Sequence, residues 1–190
     1  MSFFIPGKIV TQFVSKRGLS IVLRYPKWED LQQLWGYMNT LSKEDIYLSL
    51  SGENLSLLDE AEWLAQKFVQ LEMRNSVVLL AVEEDKIIGV CNVDRNFNNR
   101  SRGMHIGTFG ISLLDKYRSQ GIGYFFARQV ILEAKEKMND LRQIHLTLFS
   151  ENQNAYNLYQ KLGFKFYGKA PQALLYKENF QDEISMYLKI

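Results

Sequence analysis

The sequence Arg-Ser-Gln-Gly-Ile-Gly at Arg118–Gly123 separates an extended apolar run, Ile106–Leu114, from a strongly periodic helical segment. Such a turn delivers backbone N–H groups at a helix N-terminus, where about four N–H groups have no intrahelical partner. The helix dipole adds about 0.3–1 kcal/mol of preference for negative charge at that position. The sequence therefore predicts an anion site, and we expect the anion to carry phosphate.

Two better-known phosphate-binding motifs do not fit this turn. A P-loop has a Lys followed by Ser or Thr directly after its second glycine, and no such pair follows Gly121. A dinucleotide-binding fingerprint needs a small third residue for close helix packing, whereas bulky Phe126 stands three residues after Gly123. What remains is the pattern Arg/Gln-x-x-Gly-x-Gly/Ala between a strand and a helix.

A second motif follows the next predicted strand, at a length suited to one helix between the two strands. It runs from Asn152 to Phe164 as Asn-x-x-Ala-x-x-Leu-Tyr-x-x-Leu-Gly-Phe, with an apolar helical face that Gly163 ends. In this order and spacing the two motifs resemble the GNAT superfamily of acyl-CoA-dependent N-acetyltransferases. The resemblance extends from about Leu19 to the C-terminus.

Hydrophobic periodicity predicts the element order β-β-α-α-β-β-β-α-β-α-β-β, a mixed α/β arrangement. The expected strands are 9–14, 19–23, 77–82, 87–93, 104–114, 144–149, 164–168 and 184–188. Helices are expected from Pro26, from a capping box at Ser56–Asp59, over 122–138 and over 155–162. Segment 43–50 is expected to be a short helical or irregular piece, and 94–103 and 169–182 are expected to be loops.

The resemblance implies the GNAT fold within the α/β class. In this fold a mixed, mostly antiparallel central sheet contains a parallel, splayed strand pair and is flanked by about four helices. We expect residues 1–190 to form a single GNAT acetyltransferase domain. Residues 1–18 are then an N-terminal extension that adds a strand.

The resemblance also assigns a CoA site. The turn is expected to wrap the CoA pyrophosphate, Asn152 to contact CoA, and Tyr159 to protonate the departing thiolate. Backbone groups around Ile111 and Leu113 are expected to pair with the pantetheine arm. The implied cofactor-binding residues are Ile111, Leu113, Arg118, Ser119, Gln120, Gly121, Ile122, Gly123, Asn152 and Tyr159. Ser119 replaces a glycine that is frequent in relatives, at a position that the pattern leaves free.

The implied chemistry is attack of an amine on a thioester carbonyl. It needs a neutral amine, a donor for the developing oxyanion and a proton for the sulfur. A backbone N–H at the splayed strands can supply the donor. A tyrosine phenol, with a pKa of about 10, can protonate a thiolate whose conjugate thiol has a pKa of about 8.5, so Tyr159 suits the catalytic role. The alternative is that Tyr159 only packs on its helix face.

The general base is left open. Relatives often carry a Glu on one of the splayed strands, and the corresponding positions are Thr108 and Thr147, neither of which can act as a base. His105, His145 or Glu151 acting through water, an amine that arrives neutral, and a strongly perturbed carboxylate elsewhere remain as alternatives.

The resemblance therefore implies an acetyl-CoA-dependent acyltransferase that acetylates a primary amine by direct attack in a ternary complex. The acceptor is a small-molecule amine or a protein N-terminus, and no metal is implied. Two other functions stay open: a non-catalytic CoA-binding sensor or regulatory module with the GNAT fold, which the two threonines favour, and a partner-binding domain without CoA. The candidate acceptor-site residues are Trp35, Tyr47, Trp63, Phe97 and Tyr176.

Composition argues against other partners. The net charge is +2, and basic and acidic residues are interspersed, so we expect no nucleic-acid binding. No apolar run reaches the roughly 18 residues of a membrane span, and we expect no membrane association. The single cysteine, Cys91, is expected to be a buried thiol, which is compatible with a reducing cytoplasm. The oligomeric state, including a homodimer, is left open.

Overall fold

The computed structural model describes residues 4–44, 47, 51–97 and 100–190. Its strands are β1 (Ile9–Val14), β2 (Ser20–Arg24), β3 (Ser76–Glu83), β4 (Lys86–Arg95), β5 (Ile106–Leu113), β6 (Gln143–Phe149), β7 (Lys165–Tyr176) and β8 (Asn179–Lys189). Its helices are α1 (Leu31–Lys43), α2 (Leu57–Glu72), α3 (Ile122–Lys137) and α4 (Gln153–Lys161). The predicted element order is confirmed, and the fold is α/β with an open mixed sheet.

The chain forms two compact units. The first contains Met1–Asp94 and Gly110–Asn139, and the second contains Arg95–Phe109 and Asp140–Ile190. Strand β5 contributes to both, because its first half lies in the second unit and its second half in the first.

In the first unit, β1, β2, β3 and β4 pair in that order, and every pair is antiparallel. Strand β3 is buried along nearly its whole length, as its run of β-branched and aliphatic residues predicts. Helix α2 begins at the predicted capping box: Asp59 N–H donates to Ser56 Oγ at 3.1 Å, and Ser56 N–H donates to Asp59 Oδ2 at 2.8 Å.

Apolar spacing predicts a buried face of α2 formed by Leu58, Ala61, Ala65, Phe68 and Leu71. This prediction is partly wrong. Leu58, which was expected on that face, is 67% exposed, whereas Glu60, Leu64 and Leu71 are buried. These three residues share one side of the helix at i, i+4 and i+11. A glutamate therefore occupies a core position in the first turn, and the helix is rotated relative to the sequence-based expectation.

In the second unit, the strand order is β5, β6, β8, β7. Strands β5 and β6 are parallel, and their ladder joins Ile106 to Gln143, Gly107 to Ile144 and Thr108 to His145. Both strands continue past the last of these pairs, β5 to Leu113 and β6 to Phe149. The predicted parallel pair is confirmed.

The prediction of a loop over 169–182 is wrong. Strands β7 and β8 form one long antiparallel hairpin that pairs from Lys165 with Tyr187 to Tyr176 with Asn179. Only Lys177 and Glu178 stand between the two strands, and both have left-handed backbone angles, with φ of 46° and 63°.

The sequence hides this hairpin for two reasons. Its two-residue turn lacks the Asn or Gly that usually adopts positive φ. Strand β7 is also interrupted by a register shift between Ala170 and Leu174, where Pro171 has no N–H to donate and Gln172 has φ of 51°. The alternation of apolar and polar residues is therefore broken inside a continuous strand.

Two segments that were predicted to be irregular or loops lie between β4 and β5 and after α1. Strand β4 extends to Arg95, and a 3-10 turn occupies Arg100–Gly103, with residues 98–99 outside the described part. Helix α1 reaches Lys43, and most of the segment predicted as irregular up to residue 50 lies outside the described residues. Within the described residues, every helix falls short of the length and apolarity of a membrane span.

Candidate active site

The predicted anion site lies where β5 leads through a 3-10 turn, Asp115–Tyr117, into helix α3. Ser119 and Gly121 both have positive φ, at 59° and 82°, and Gly121 is the N-cap of α3. Among the described residues, the backbone N–H groups from Ser119 to Gly123 donate to no other group. Consecutive unpaired N–H groups around left-handed residues form a concavity that suits a phosphate anion.

Two side chains of this turn point into the protein. Gln120 is 2% exposed, and its Nε2 donates to Lys116 O at 2.6 Å. Its Oε1 is buried and has no hydrogen-bond partner among the described residues. Ile122 is fully buried in the core. Both residues can therefore offer a ligand only their backbone groups.

The Arg118 side chain binds the protein itself. Its Nε and Nη2 donate to Leu113 O at 2.9 and 2.7 Å, and it forms ion pairs with Asp115 at 3.1 Å and with Glu44. Two of the predicted cofactor-binding residues, Arg118 and Leu113, are thus bonded to each other. The guanidinium ties the end of β5 to the turn, and its charge is balanced by two carboxylates.

Glu44, directly after α1, fixes the same region from a second side. Its Oε1 accepts a hydrogen bond from Asp115 N–H at 3.0 Å, while its Oε2 pairs with Arg118. Sequence reasoning missed this residue, because it falls in a segment with no periodicity and its partners are about seventy positions away.

Gly89 on β4 allows the end of β5 to approach closely. A β-carbon at this position would lie 2.4 Å from Leu113 Cδ2, 2.9 Å from Ser112 O and 3.2 Å from Phe126 Cε1. Such contacts are too short for any side chain without a backbone shift. Gly89 therefore sets the position of the strand that delivers the turn. The sequence signal for this position is a glycine inside a β-branched strand.

In the second unit, Asn152 caps helix α4. Its Oδ1 accepts from Ala155 N–H at 3.1 Å, and its Nδ2 has no partner among the described residues. Gly163, with φ of 93°, follows the helix end as predicted. Asn152 is thus held by its oxygen and retains a donor for a ligand.

Tyr159 lies on the buried side of α4 and is 8% exposed. Its ring centroid is 5.9 Å from that of Phe109 in an edge-on contact and 5.8 Å from that of Phe164 in a tilted one. These contacts fix the ring orientation. A fixed ring is what a proton donor needs, and it equally fits the packing role that the sequence left open.

The candidate bases in the second unit differ in their surroundings. Thr108 and Thr147 are exposed. The His145 ring lies between two groups, with Nε2 3.1 Å from Gln143 Oε1 and Nδ1 3.4 Å from Tyr167 Oη. Burial, and then the nearby His105, lower the pKa of His145. A neutral histidine held on both sides fits a structural role on the strand.

Glu151 and Glu60 are the other carboxylates to consider. Glu151 accepts a hydrogen bond from Gln181 Nε2 at 3.1 Å. In the first unit, burial raises the pKa of Glu60 to about 7, and its carboxyl group forms no hydrogen bond or ion pair with the described residues. Glu60 is thus a strongly perturbed carboxylate of the kind that sequence reasoning left open, at a position that it did not single out.

The candidate acceptor residues have varied surroundings. In the first unit, Trp35 Nε1 donates to Leu55 O at 2.8 Å, and the Trp63 ring lies under Lys67 Nζ at 5.7 Å. In the second unit, the Tyr176 ring packs edge-on against Phe149 at 5.9 Å. Of the other two candidates, Phe97 is 47% exposed, and Tyr47 is half-buried beside residues outside the described part.

Among the described residues, no cluster of His, Cys, Asp and Glu could hold a metal ion. Cys91 is buried and unpaired, and burial raises the pKa of its thiol, as the interpretation of a buried thiol requires.

The turn, the splayed strands and the capped helix α4 define the class to which this protein is assigned. Residues 43–164 match the family model of the acetyltransferase (GNAT) family. This match covers more than half of the chain and includes both sequence motifs. The chain belongs to the GNAT acetyltransferase family.

Solved structures agree with this assignment. A GNAT-family acetyltransferase from Streptococcus pneumoniae is 30% identical with a TM-score of 0.80, and the match covers 90% of this chain and 99% of that one. The structure of yncA, a putative acetyltransferase from Salmonella typhimurium with its cofactor acetyl-CoA, has a TM-score of 0.77 over 89% of this chain and 93% of that one. At 14% identity, the second likeness shows the fold alone.

A curated relative is the L-amino acid N-acetyltransferase AaaT of Escherichia coli (strain K12). It is 26% identical over 108 residues, which cover 57% of this chain. The match spans 65% of the length of the E. coli protein, slightly under two thirds.

Proposed function

We propose that this protein transfers an acetyl group from acetyl-CoA to a primary amine by direct attack in a ternary complex. The amine nitrogen forms a bond to the thioester carbonyl carbon, the C–S bond breaks, and the thiolate takes a proton from Tyr159. The amine loses one proton as the amide forms, so the products are the acetylated amine and CoA. A base or water accepts this proton, and Tyr159 regains one before the next turnover, so the enzyme returns to its starting state.

One observation carries the proposal: the unpaired N–H groups from Ser119 to Gly123 at the start of α3. Left-handed angles at Ser119 and Gly121 place these groups in a turn, where no other backbone group of the described residues accepts from them. The first N–H groups of a helix have no intrahelical partner, so a ligand with several acceptor oxygens fits this turn. The CoA pyrophosphate is such a group.

The other roles are part of the same proposal. Asn152 Nδ2 donates to CoA, and Tyr159 is the catalytic proton donor. Strand β5 contributes backbone groups at Ile111 to the pantetheine arm. The Leu113 carbonyl already accepts from Arg118, so its contribution to the ligand is limited to its N–H.

The relatives support the choice of substrates. The Salmonella structure was solved with acetyl-CoA, and the curated E. coli relative is named an L-amino acid N-acetyltransferase. We therefore propose acetyl-CoA as the donor and an amine, either a small molecule or a peptide N-terminus, as the acceptor. We also propose that the chain acts as one domain and in the cytoplasm, where the thiol of Cys91 stays reduced.

A thiol-release assay tests this function. The full chain is incubated with acetyl-CoA and a panel of L-amino acids, polyamines and N-terminal peptides, and free CoA thiol is measured together with the mass of the acetylated acceptor. We expect amine-dependent thiol release with at least one acceptor class. Absence of release across the panel, with saturable CoA binding retained, would contradict the catalytic function.

A CoA-binding sensor without turnover is the second candidate. It is favoured by the two exposed threonines at the usual base positions and by the engagement of both His145 ring nitrogens. A thermal-shift titration with CoA separates both candidates from a domain without CoA. A ligand present at 100 times its Kd stabilises the folded state by about 2.7 kcal/mol, so an unchanged Tm would exclude both.

A further inference from the structure

We propose that the Lys16 ammonium, at the tip of the β1–β2 hairpin, pairs with the pyrophosphate of CoA at the Ser119–Gly123 turn. The proposal rests on the proposed function and adds a ligand contact from outside both sequence motifs. It concerns a residue in the segment that the sequence interpretation treated as an N-terminal extension.

The hairpin tip is packed directly on the turn. Lys16 N–H donates to Gln120 O at 3.1 Å. A β-carbon added to Gly121 would lie 3.5 Å from both Cγ and Cε of Lys16, so the aliphatic stem of the lysine runs alongside this glycine. The tip itself is a tight turn, in which Ser15 N–H donates to Leu19 O at 2.8 Å and Gly18 has φ of +83°.

A second set of contacts fixes the hairpin on helix α3. The Phe13 ring stacks on Phe125 with centroids 5.1 Å apart, and Tyr25, just after β2, donates from its hydroxyl to Glu133 at 2.8 Å. The hairpin is therefore held at both ends against α3. The contacts with α3 therefore fix the position of Lys16 beside the turn.

Among the described residues beside the turn, the ammonium of Lys16 is available to a ligand. The guanidinium of Arg118 already pairs with Glu44 and Asp115 and donates to Leu113 O. Lys116, the next basic residue along this segment, lies over its neighbouring Tyr117 ring at 4.6 Å. Lys16 is exposed and, among the described residues, forms no ion pair or hydrogen bond through its ammonium.

The chemistry of the turn selects pyrophosphate as the partner. Backbone N–H groups bind phosphate oxygens but contribute only partial charge, and a pyrophosphate carries two negative charges. An ammonium is a compact charge on a flexible stem with three donors, which suits an exposed phosphate. With its stem against Gly121, Lys16 holds that charge beside the same N–H groups.

Direct measurement of CoA binding by calorimetry tests the contact. The variants are Lys16→Gln, Lys16→Arg and the matched control Arg17→Gln, which removes the same charge from the adjacent position of the hairpin tip. We expect Lys16→Gln to weaken CoA binding about fivefold to tenfold and Lys16→Arg to retain binding within about twofold. We expect Arg17→Gln to bind like the wild type. The Tm of each ligand-free variant checks the fold, and it should be unchanged because the side chain is exposed.

Two further readouts identify the contact. The salt dependence of CoA affinity between about 0.05 and 0.3 M NaCl should be weaker for Lys16→Gln than for the wild type, because one ion pair is lost. With 3′-dephospho-CoA, the loss on Lys16→Gln should be as large as with CoA, because the pyrophosphate is still present.

Three results would overturn the proposal. They are unchanged CoA affinity of Lys16→Gln, an equal loss in Arg17→Gln, and a loss that disappears with 3′-dephospho-CoA, which would move the contact to the 3′-phosphate. If the wild type itself does not bind CoA, the proposed function fails as well. If the wild type binds CoA and Lys16→Gln binds it equally well, the Lys16 contact is rejected and the proposed function is not.

Discussion

Glu60→Gln should stabilise the protein in a strongly pH-dependent way. The Glu60 carboxyl lies on the core face of α2 with Leu64 and Leu71, is 4% exposed and has no hydrogen bond or ion pair among the described residues. Burial raises its pKa from 4.5 to about 7. A glutamine has nearly the same shape and stays neutral at every pH, so the substitution removes the ionisation and little else.

The sign and size follow from the linkage between protonation and folding. Below pH 4.5, Glu60 is neutral in both states and has no effect on the pH dependence. Between pH 4.5 and about 7, only the unfolded chain loses the proton, so the free energy of unfolding falls by about 1.4 kcal/mol per pH unit. The cost of burying this carboxyl is therefore about 1 kcal/mol at pH 5 and about 3 kcal/mol at pH 8.

Urea unfolding of the wild type and of Glu60→Gln at pH 5 and pH 8 measures this difference. The stability gap between the two proteins should widen by about 2.5 kcal/mol from pH 5 to pH 8, which corresponds to a shift of about 1 M in the midpoint. Glu62→Gln is the matched control, because Glu62 lies on the exposed side of the same helix. An equal gap at both pH values would refute the reasoning and mean that Glu60 is ionised in the folded state at neutral pH.

Three further predictions concern the site. Tyr159→Phe keeps the aromatic contacts and removes the proton donor, so kcat should fall about 100-fold while the Kd for CoA stays within about twofold. Steady-state kinetics measures kcat, and calorimetry measures the Kd. An unchanged kcat would reject Tyr159 as the proton donor. Gly89→Ala should destabilise the protein by at least about 2 kcal/mol and weaken CoA binding, because the new methyl clashes with Leu113 and the Ser112 carbonyl. Urea unfolding measures the loss of stability. Gly36→Ala is the control and should stabilise the protein, because a β-carbon there meets nothing within 4 Å. Ser119→Gly should leave CoA affinity intact and raise or preserve Tm, since φ at this position is +59°; a loss of binding would show that the hydroxyl contributes to the site.

Periodicity was sufficient for most of the fold. Strand β3 and helix α3 have bounds close to the predicted ones. Strand β3 is one continuous apolar run, and helix α3 has a local apolar repeat, and a window of the sequence captures both. Local repeats fail where a strand is bulged. In β7 the shift between Ala170 and Leu174 moves the side chains out of phase, and the hairpin turn that follows lacks glycine.

The candidate site divides in the same way. Glycine spacing indicated the turn, since positive φ at Gly121 is a local requirement. Glu44 and Lys16 are not marked by any local pattern, because each contacts the turn from a distant part of the sequence. Gly89 stands out as a glycine inside a β-branched strand, but the sequence does not show which strand it faces. Contacts of that kind depend on how the elements pack, and periodicity carries no information about them.

The structure also changes the interpretation of the first motif position. The pattern accepts Arg or Gln there, and these residues do not share a charge. They share a planar group with N–H donors. In this chain the donors of Arg118 bind the carbonyl of Leu113, at the end of the strand that precedes the turn. A requirement for a planar donor that closes the turn explains both residue types, whereas a requirement for a phosphate-binding charge explains only arginine. If the turn binds a pyrophosphate, as proposed above, a countercharge can come from the hairpin tip that carries Lys16, which is in contact with the turn.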